Sequence, residues 1–181
     1  MAHQQQFDYI QSLKTKYPDQ FTGKKVLEVG SLNINGSIRQ FFTDCDYLGI
    51  DVGPGVDVDL VIEGQKLDHL PNTYDTVASC ECFEHNPYWV ETFHNMYRMA
   101  KQKGLVFMTC ATTGRAEHGT TRTSPQDSPL TTNKGWEYYK NLTEEDFRKI
   151  IPLDDMFSDY QFSVDNTHFD LYFYGIKKEI V

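Results

Sequence analysis

No apolar run in this chain approaches the roughly 20 residues that a membrane-spanning helix needs, so no bilayer-crossing helix is expected. Cysteine is scarce: four residues, at positions 45, 80, 82 and 110, fall in or beside expected strands. That distribution suits reduced, packed thiols better than a disulfide framework. Cys80 and Cys82 are too closely spaced for a C-x-x-C knuckle, so zinc is not expected. Basic residues are also in deficit, with 17 Lys and Arg against 26 Asp and Glu, for a net charge of −9. Without a basic face a nucleic-acid partner is not expected. The opening residues MAHQQQFDYIQSLK have neither the basic start nor the apolar centre of a secretory signal, and a cytoplasmic location is the expectation.

What is present fits one globular domain over 1–181. Hydrophobic content is 39% and charged content 24%, and the aromatic share of 14% is high. Phe7, Ile10, Leu13 and Tyr17 recur at helical spacing, predicting an N-terminal helix within residues 1–20 that Pro18 stops. Strands are expected at 25–30, 46–50, 74–80 and 105–110, with a short helix at 36–42 and a third strand reached through the compact segment GPGVDVDLVI. A helix over 87–100 is expected to start at Pro87 with Asn86 as its cap. Lys101 and Lys103 then complement its dipole. Thr143 and Asp146 mark a capped helix to about Ile150. The tail reads as two strands turning near Asp165-Asn166. Between 112 and 141 lies a long polar loop, a natural lid or substrate loop.

The densest information is in VLEVGSLNINGSIRQFF at 26–42 and YLGIDVG at 47–53. This is a strand, a tight loop, a helix-like stretch and a second strand ending in an acid. Such an order suits a nucleotide-like ligand lying across the carboxyl ends of parallel strands, with Asp51 accepting from both ribose hydroxyls. The loop G-S-L-N-I-N-G lacks both the G-x-G-x-x-G of a dinucleotide site and the G-K-[ST] of a P-loop. Glu28, two residues before Gly30, would repel a phosphate and suits a cationic ligand instead.

These stretches, with YDTVASCECFEH and GLVFMTC, resemble the class I S-adenosylmethionine-dependent methyltransferases, and within them the methyltransferase type 11-like proteins, over most of residues 24–110. The usual family loop is E-x-G-x-G-x-G; this chain keeps Glu28 and Gly30, with Gly36 further on. The resemblance implies a three-layer α/β/α Rossmann-like methyltransferase fold with a mostly parallel seven-stranded sheet and a C-terminal antiparallel hairpin. It also implies that S-adenosyl-L-methionine is converted to S-adenosyl-L-homocysteine. Carried onto this sequence, Glu28 and Gly30 lie beneath the methionine portion, Ser31 and Asn33 line the loop, and Asp51 holds the ribose with Val52 beside the adenine. Glu63 and Gly64 in VIEGQKL fall near the adenine, and Ser79, Cys80 and Glu81 line the methyl-donor pocket.

Methyl transfer from a sulfonium is an in-line displacement that gains most from positioning, so a catalytic side chain is optional. A hydroxyl acceptor would benefit from a base, for which Glu81, His85 and His118 are candidates. The alternative is that Glu84 and His85 cap or precede the helix at 87, with His85 packed against the cofactor loop. Arg115, His118, Trp136 and Tyr139, with Tyr138 and Lys140 nearby, are candidate acceptor contacts; the alternative is a solvated loop with an aromatic anchor. Asp165-Asn166 reads as a turn, and no metal is expected. The expected partner is a small-molecule substrate, with the chain a monomer or homodimer. The rival readings are a cofactor-binding module without turnover and an NAD-type oxidoreductase.

Overall fold

The computed structural model describes residues 3–180. The strands are β1 (Lys25–Val29), β2 (Asp46–Asp51), β3 (Leu60–Val61), β4 (Tyr74–Cys80), β5 (Ala100–Ala111), β6 (Phe157–Asp165) and β7 (Asp170–Lys177). The helices are α1 (Gln4–Lys16), α2 (Trp89–Met99), α3 (Pro129–Asn133), α4 (Glu144–Ile150) and α5 (Leu153–Met156). One seven-stranded sheet runs in the order β3-β2-β1-β4-β5-β7-β6. Its first four pairings are parallel, and β7 runs antiparallel to both β5 and β6. Strand order reverses between β1 and β4, which creates a crevice at their carboxyl ends.

Both faces of the sheet are covered, which is why residues 26–29 of β1 and 104–111 of β5 are buried without a break. Along β5 the side chains alternate as a strand demands. Leu105 and Phe107 join Ile10 and Leu13 of α1 on one face. Val106 and Met108 join Phe93 of α2, Phe147 of α4 and Phe173 on the other. The result is the expected α/β/α layering.

The expected helix at 36–42 is instead a single 3-10 turn at Ile38–Phe41, capped by Ser37, whose Oγ accepts from the Arg39 amide. The loop from Gly30 leaves too little chain for more, because Thr43 must already bridge to Thr22 beside the sheet. Helix α2 begins at Trp89, two residues later than expected, and Asn86 caps the turn before it by accepting from the Tyr88 amide. Strand β5 starts at Ala100, so Lys101 and Lys103 do not serve a helix end. They pair with Asp75 and Glu179 at 2.9 and 2.8 Å. The Thr143 to Asp146 capping box and the hairpin turn after Asp165 form as expected. Among the described residues no helix is long and apolar enough to cross a membrane.

Phe93 is fully buried against the rings of Phe83, Phe147, Phe157 and Phe173. Phe93→Ala is expected to lower unfolding free energy by about 3–5 kcal/mol, against about 1 kcal/mol for the cap substitution Thr143→Ala. Urea denaturation of the two variants checks this, and similar losses would contradict the packing described.

Candidate functional site

The chain turns out of β1 at Gly30, whose φ of +82° suits glycine and whose missing Cβ would lie 2.7 Å from the side chain of Cys82. That contact sets the loop after β1 directly against the loop after β4. The amides of Gly30 and Ser31 donate to the Ile50 carbonyl, and the Leu32 amide donates to Asp51 Oδ2 at 3.0 Å. The Val52 amide donates to Asp51 Oδ1 at 2.7 Å. Further along, the Asn33 amide donates to the Val56 carbonyl and the Gly36 amide to Asn33 Oδ1. A pyrophosphate would need such amides free, or an α-helix N-terminus behind them. The loop offers four engaged amides at Gly30 to Asn33 and a side-chain-capped 3-10 turn.

At the crevice between β1 and β4 lies a cleft of about 720 Å³, part of it open to solvent. Glu28, Gly30, Ser31, Asp51, Cys80 and Glu81 face it from the sheet edge. A smaller hollow of about 320 Å³ adjoins it across Gly30, Asp51 and Cys82, with Val52, Ile62, Gly64 and Trp136 in its walls. Asp51 therefore stands at the boundary of the two.

Glu28 is buried, and Tyr47 donates to its Oε2 at 2.7 Å. Burial pushes its carboxyl up to about 7, against the lowering effect of the Tyr47 hydrogen bond and the nearby Arg39. Burial also raises Asp51, opposed by its two amide bonds. Ser31 Oγ is buried without a hydrogen-bond partner among the described residues. Glu81 adopts a left-handed backbone, φ 51°, which a non-glycine residue holds only under constraint. Its Oε1 accepts from Thr109 Oγ1 at 2.8 Å, and Thr109 in turn accepts from Gln6 Nε2 at 2.9 Å. A fully packed α1 residue thus braces the floor.

Three of the sequence-expected contacts point elsewhere. The Asn33 amide group donates to Asp57. Ser79 Oγ donates to the Val29 carbonyl at 2.8 Å, joining β4 to β1. Glu63 binds Lys66 at 2.9 Å and Lys134 at 3.0 Å, fastening the 112–141 segment to the body.

Of that segment's expected contacts, Arg115 turns to the hairpin, donating to the His168 carbonyl and Asp170. Trp136 reaches the smaller hollow and meets Tyr88 edge-on. Tyr139 donates to the Ala116 carbonyl and packs on both His85 and His118. His85 lines the cleft, but burial and the adjacent His118 hold its imidazole at about 3, which makes it a poor base near neutral pH. The segment instead covers the cleft with Asp127, Ser128, Leu130 and Thr131, on a 3-10 turn and α3. Ser124-Pro125 and Ser128-Pro129 were the available signal, since serine followed by proline starts a turn or a helix.

No protein-family model matches the chain, and no curated sequence matches it significantly. Solved structures do. Phosphoethanolamine N-methyltransferase 2 of Haemonchus contortus, in complex with S-adenosyl-L-methionine, superposes with a TM-score of 0.65 at 16% identity over 93% of this chain and 53% of that one. The 1,6-didemethyltoxoflavin-N1-methyltransferase of Burkholderia thailandensis, with 1,6-didemethyltoxoflavin and S-adenosylhomocysteine bound, gives a TM-score of 0.61 at 11% identity over 99% of this chain and 92% of that one. The CurJ carbon methyltransferase gives 0.63 at 12% identity over 94% and 52%. The chain spans about half the length of the Haemonchus enzyme. At these identities the likeness concerns the fold, which is that of the class I methyltransferases.

The buried carboxyl of Glu28 makes a pH signature. Its value is near 4.5 unfolded and about 7 folded. Across that window the folded state holds the extra proton, so stability falls as pH rises and levels off above about 7. Glu28→Gln should therefore gain about 2–3 kcal/mol relative to wild type between about pH 5 and pH 8. Urea denaturation at both values measures the difference, and a pH-independent difference would contradict a protonated Glu28.

Proposed function

We propose that this domain is an S-adenosylmethionine-dependent methyltransferase that acts on a small-molecule acceptor by direct in-line transfer. The observation that carries the reading is Asp51 at the tip of β2, between two adjoining hollows. Each of its oxygens accepts one backbone amide and retains a lone pair for a ribose hydroxyl. The apolar hollow beside Val52, Ile62 and Trp136 suits an adenine ring, and the larger cleft over Glu28 suits the methionine portion. The hydroxyl of Ser31, buried and unpartnered, is a further polar contact for that portion.

The methyl donor supplies an activated methyl group on a sulfonium and leaves as S-adenosylhomocysteine. This chain's residues bind and orient. Gly30 lets the backbone approach where a Cβ would collide with Cys82, and Glu28, ionised once a cation lies over it, balances positive charge. The segment carrying α3 covers the cleft and excludes water, which strengthens every electrostatic contact inside. Acceleration then comes from holding acceptor and methyl group in line. The engaged amides at Gly30 to Asn33 count against an NAD-type oxidoreductase.

Calorimetric titration with S-adenosylmethionine, S-adenosylhomocysteine and NAD tests the reading. Saturable binding of the first two alone is expected, weakened at least about tenfold by Asp51→Ala, which corresponds to about 1.4 kcal/mol. A response to NAD alone, or an unchanged affinity in the variant, would overturn it. Binding without turnover across an acceptor screen would favour a partner module.

A further inference from the structure

We propose that Glu84, His85 and His118 form a binding site for one divalent transition-metal ion, zinc being the ion their chemistry suits best. This departs from the expectation drawn from the sequence, where the cysteine spacing and the Asp165-Asn166 pair gave no metal. The three residues are buried, and one ligand atom from each lies within 4.8 Å of the others. Glu84 and His85 come from the 3-10 turn after β4, and His118 from the covering segment.

Buried polar atoms converge here without hydrogen bonds. Among the described residues neither carboxylate oxygen of Glu84 has a hydrogen-bond partner, although the residue is fully buried. A buried carboxyl in that condition is costly in either protonation state. Among the described residues His118 Nε2 is likewise buried and unpartnered. His118 Nδ1 lies 3.0 Å from the Ala116 carbonyl. A carbonyl only accepts, so the proton sits on Nδ1 and the lone pair on Nε2 is free. That is the arrangement by which a carbonyl orients a metal-ligating histidine.

Packing holds the set together. The rings of His85 and His118 meet edge-on at 4.9 Å, and Tyr139 closes over both. Gly119, at φ +63°, brings the covering segment so close that a Cβ there would lie 2.6 Å from the His85 ring.

Two imidazoles and one carboxylate suit zinc and its neighbours and leave at least one coordination position for water or another oxygen ligand. Glu84 Oε1 and His85 Nε2 are 3.9 Å apart. Ligands at about 2.0–2.1 Å from a tetrahedral ion are roughly 3.3 Å apart, so closing on the ion takes movements of about 1 Å. His85 also lines the cleft, so the ion would sit in its wall.

The site stands independently of the methyl-donor reading, and it is tested without that ligand. The full chain is stripped with a chelator and titrated with Co²⁺, then Zn²⁺. Expected are one equivalent of Co²⁺ with a visible absorption band, a raised thermal midpoint, and displacement by Zn²⁺. Glu84→Gln and His118→Gln, both checked for folding by circular dichroism, should weaken binding more than tenfold. The exposed His94→Gln should not. No stoichiometric Co²⁺ or Zn²⁺ binding by wild type, or affinity unchanged in both folded site variants, overturns the proposal. Loss of binding in His94→Gln instead identifies surface binding and overturns it equally.

Discussion

The tips of β1 and β2 are tied together by backbone hydrogen bonds, and the cleft depends on that tie. Gly30 and Ser31 donate to Ile50, and Leu32 donates to the Asp51 carboxylate. These bonds fix a loop that has no α-helix behind it and keep Asp51 oriented at the boundary of two hollows. They also use the amides that a phosphate would need. One set of contacts therefore gives the loop its shape and selects the class of ligand that can lie on it.

A second constraint is the density of buried carboxyl groups around the carboxyl end of β4. Glu28, Glu84 and Asp170 are buried, and Glu81 is half-buried beside them. Each has a different answer to the cost of desolvation. Glu28 shifts to about 7 and takes a tyrosine hydroxyl. Glu81 accepts from Thr109, and Asp170 is met by Arg115 and His3. Glu84 has no hydrogen-bond donor among the described residues. A folded domain rarely keeps an uncompensated group of this kind without a use for it.

The sheet was legible because its strands are apolar runs bounded by glycine, proline and aspartate, and this also made Glu28, Gly30 and Asp51 legible as strand-end residues. Side-chain direction was less so. On a strand buried on both faces, alternation carries no polar signal, so Ser79 and Cys80 could not be told apart from the sequence; one bonds Val29, the other faces the cleft. Asn33 and Glu63 were read as ligand contacts but spend their polar groups on Asp57 and two lysines. The wall built by Ser128 to Thr131 has no apolar period, and only its Ser-Pro steps announce it. The Glu84, His85 and His118 cluster joins residues more than thirty positions apart in sequence, a proximity that only the folded covering segment creates.

Gln6 lies on the inner face of α1 and reaches, through Thr109, the carboxylate of Glu81 beneath the cleft. Gln6 itself lines the cleft, so the seated helix supplies part of its wall. Any molecule that prefers the finished cleft draws the helix onto the sheet, and any perturbation that loosens the helix taxes the affinity by the fraction of molecules left unseated. The same coupling works backwards, so amide exchange along α1 becomes a remote gauge of what occupies the opposite end of the hydrogen-bonded chain.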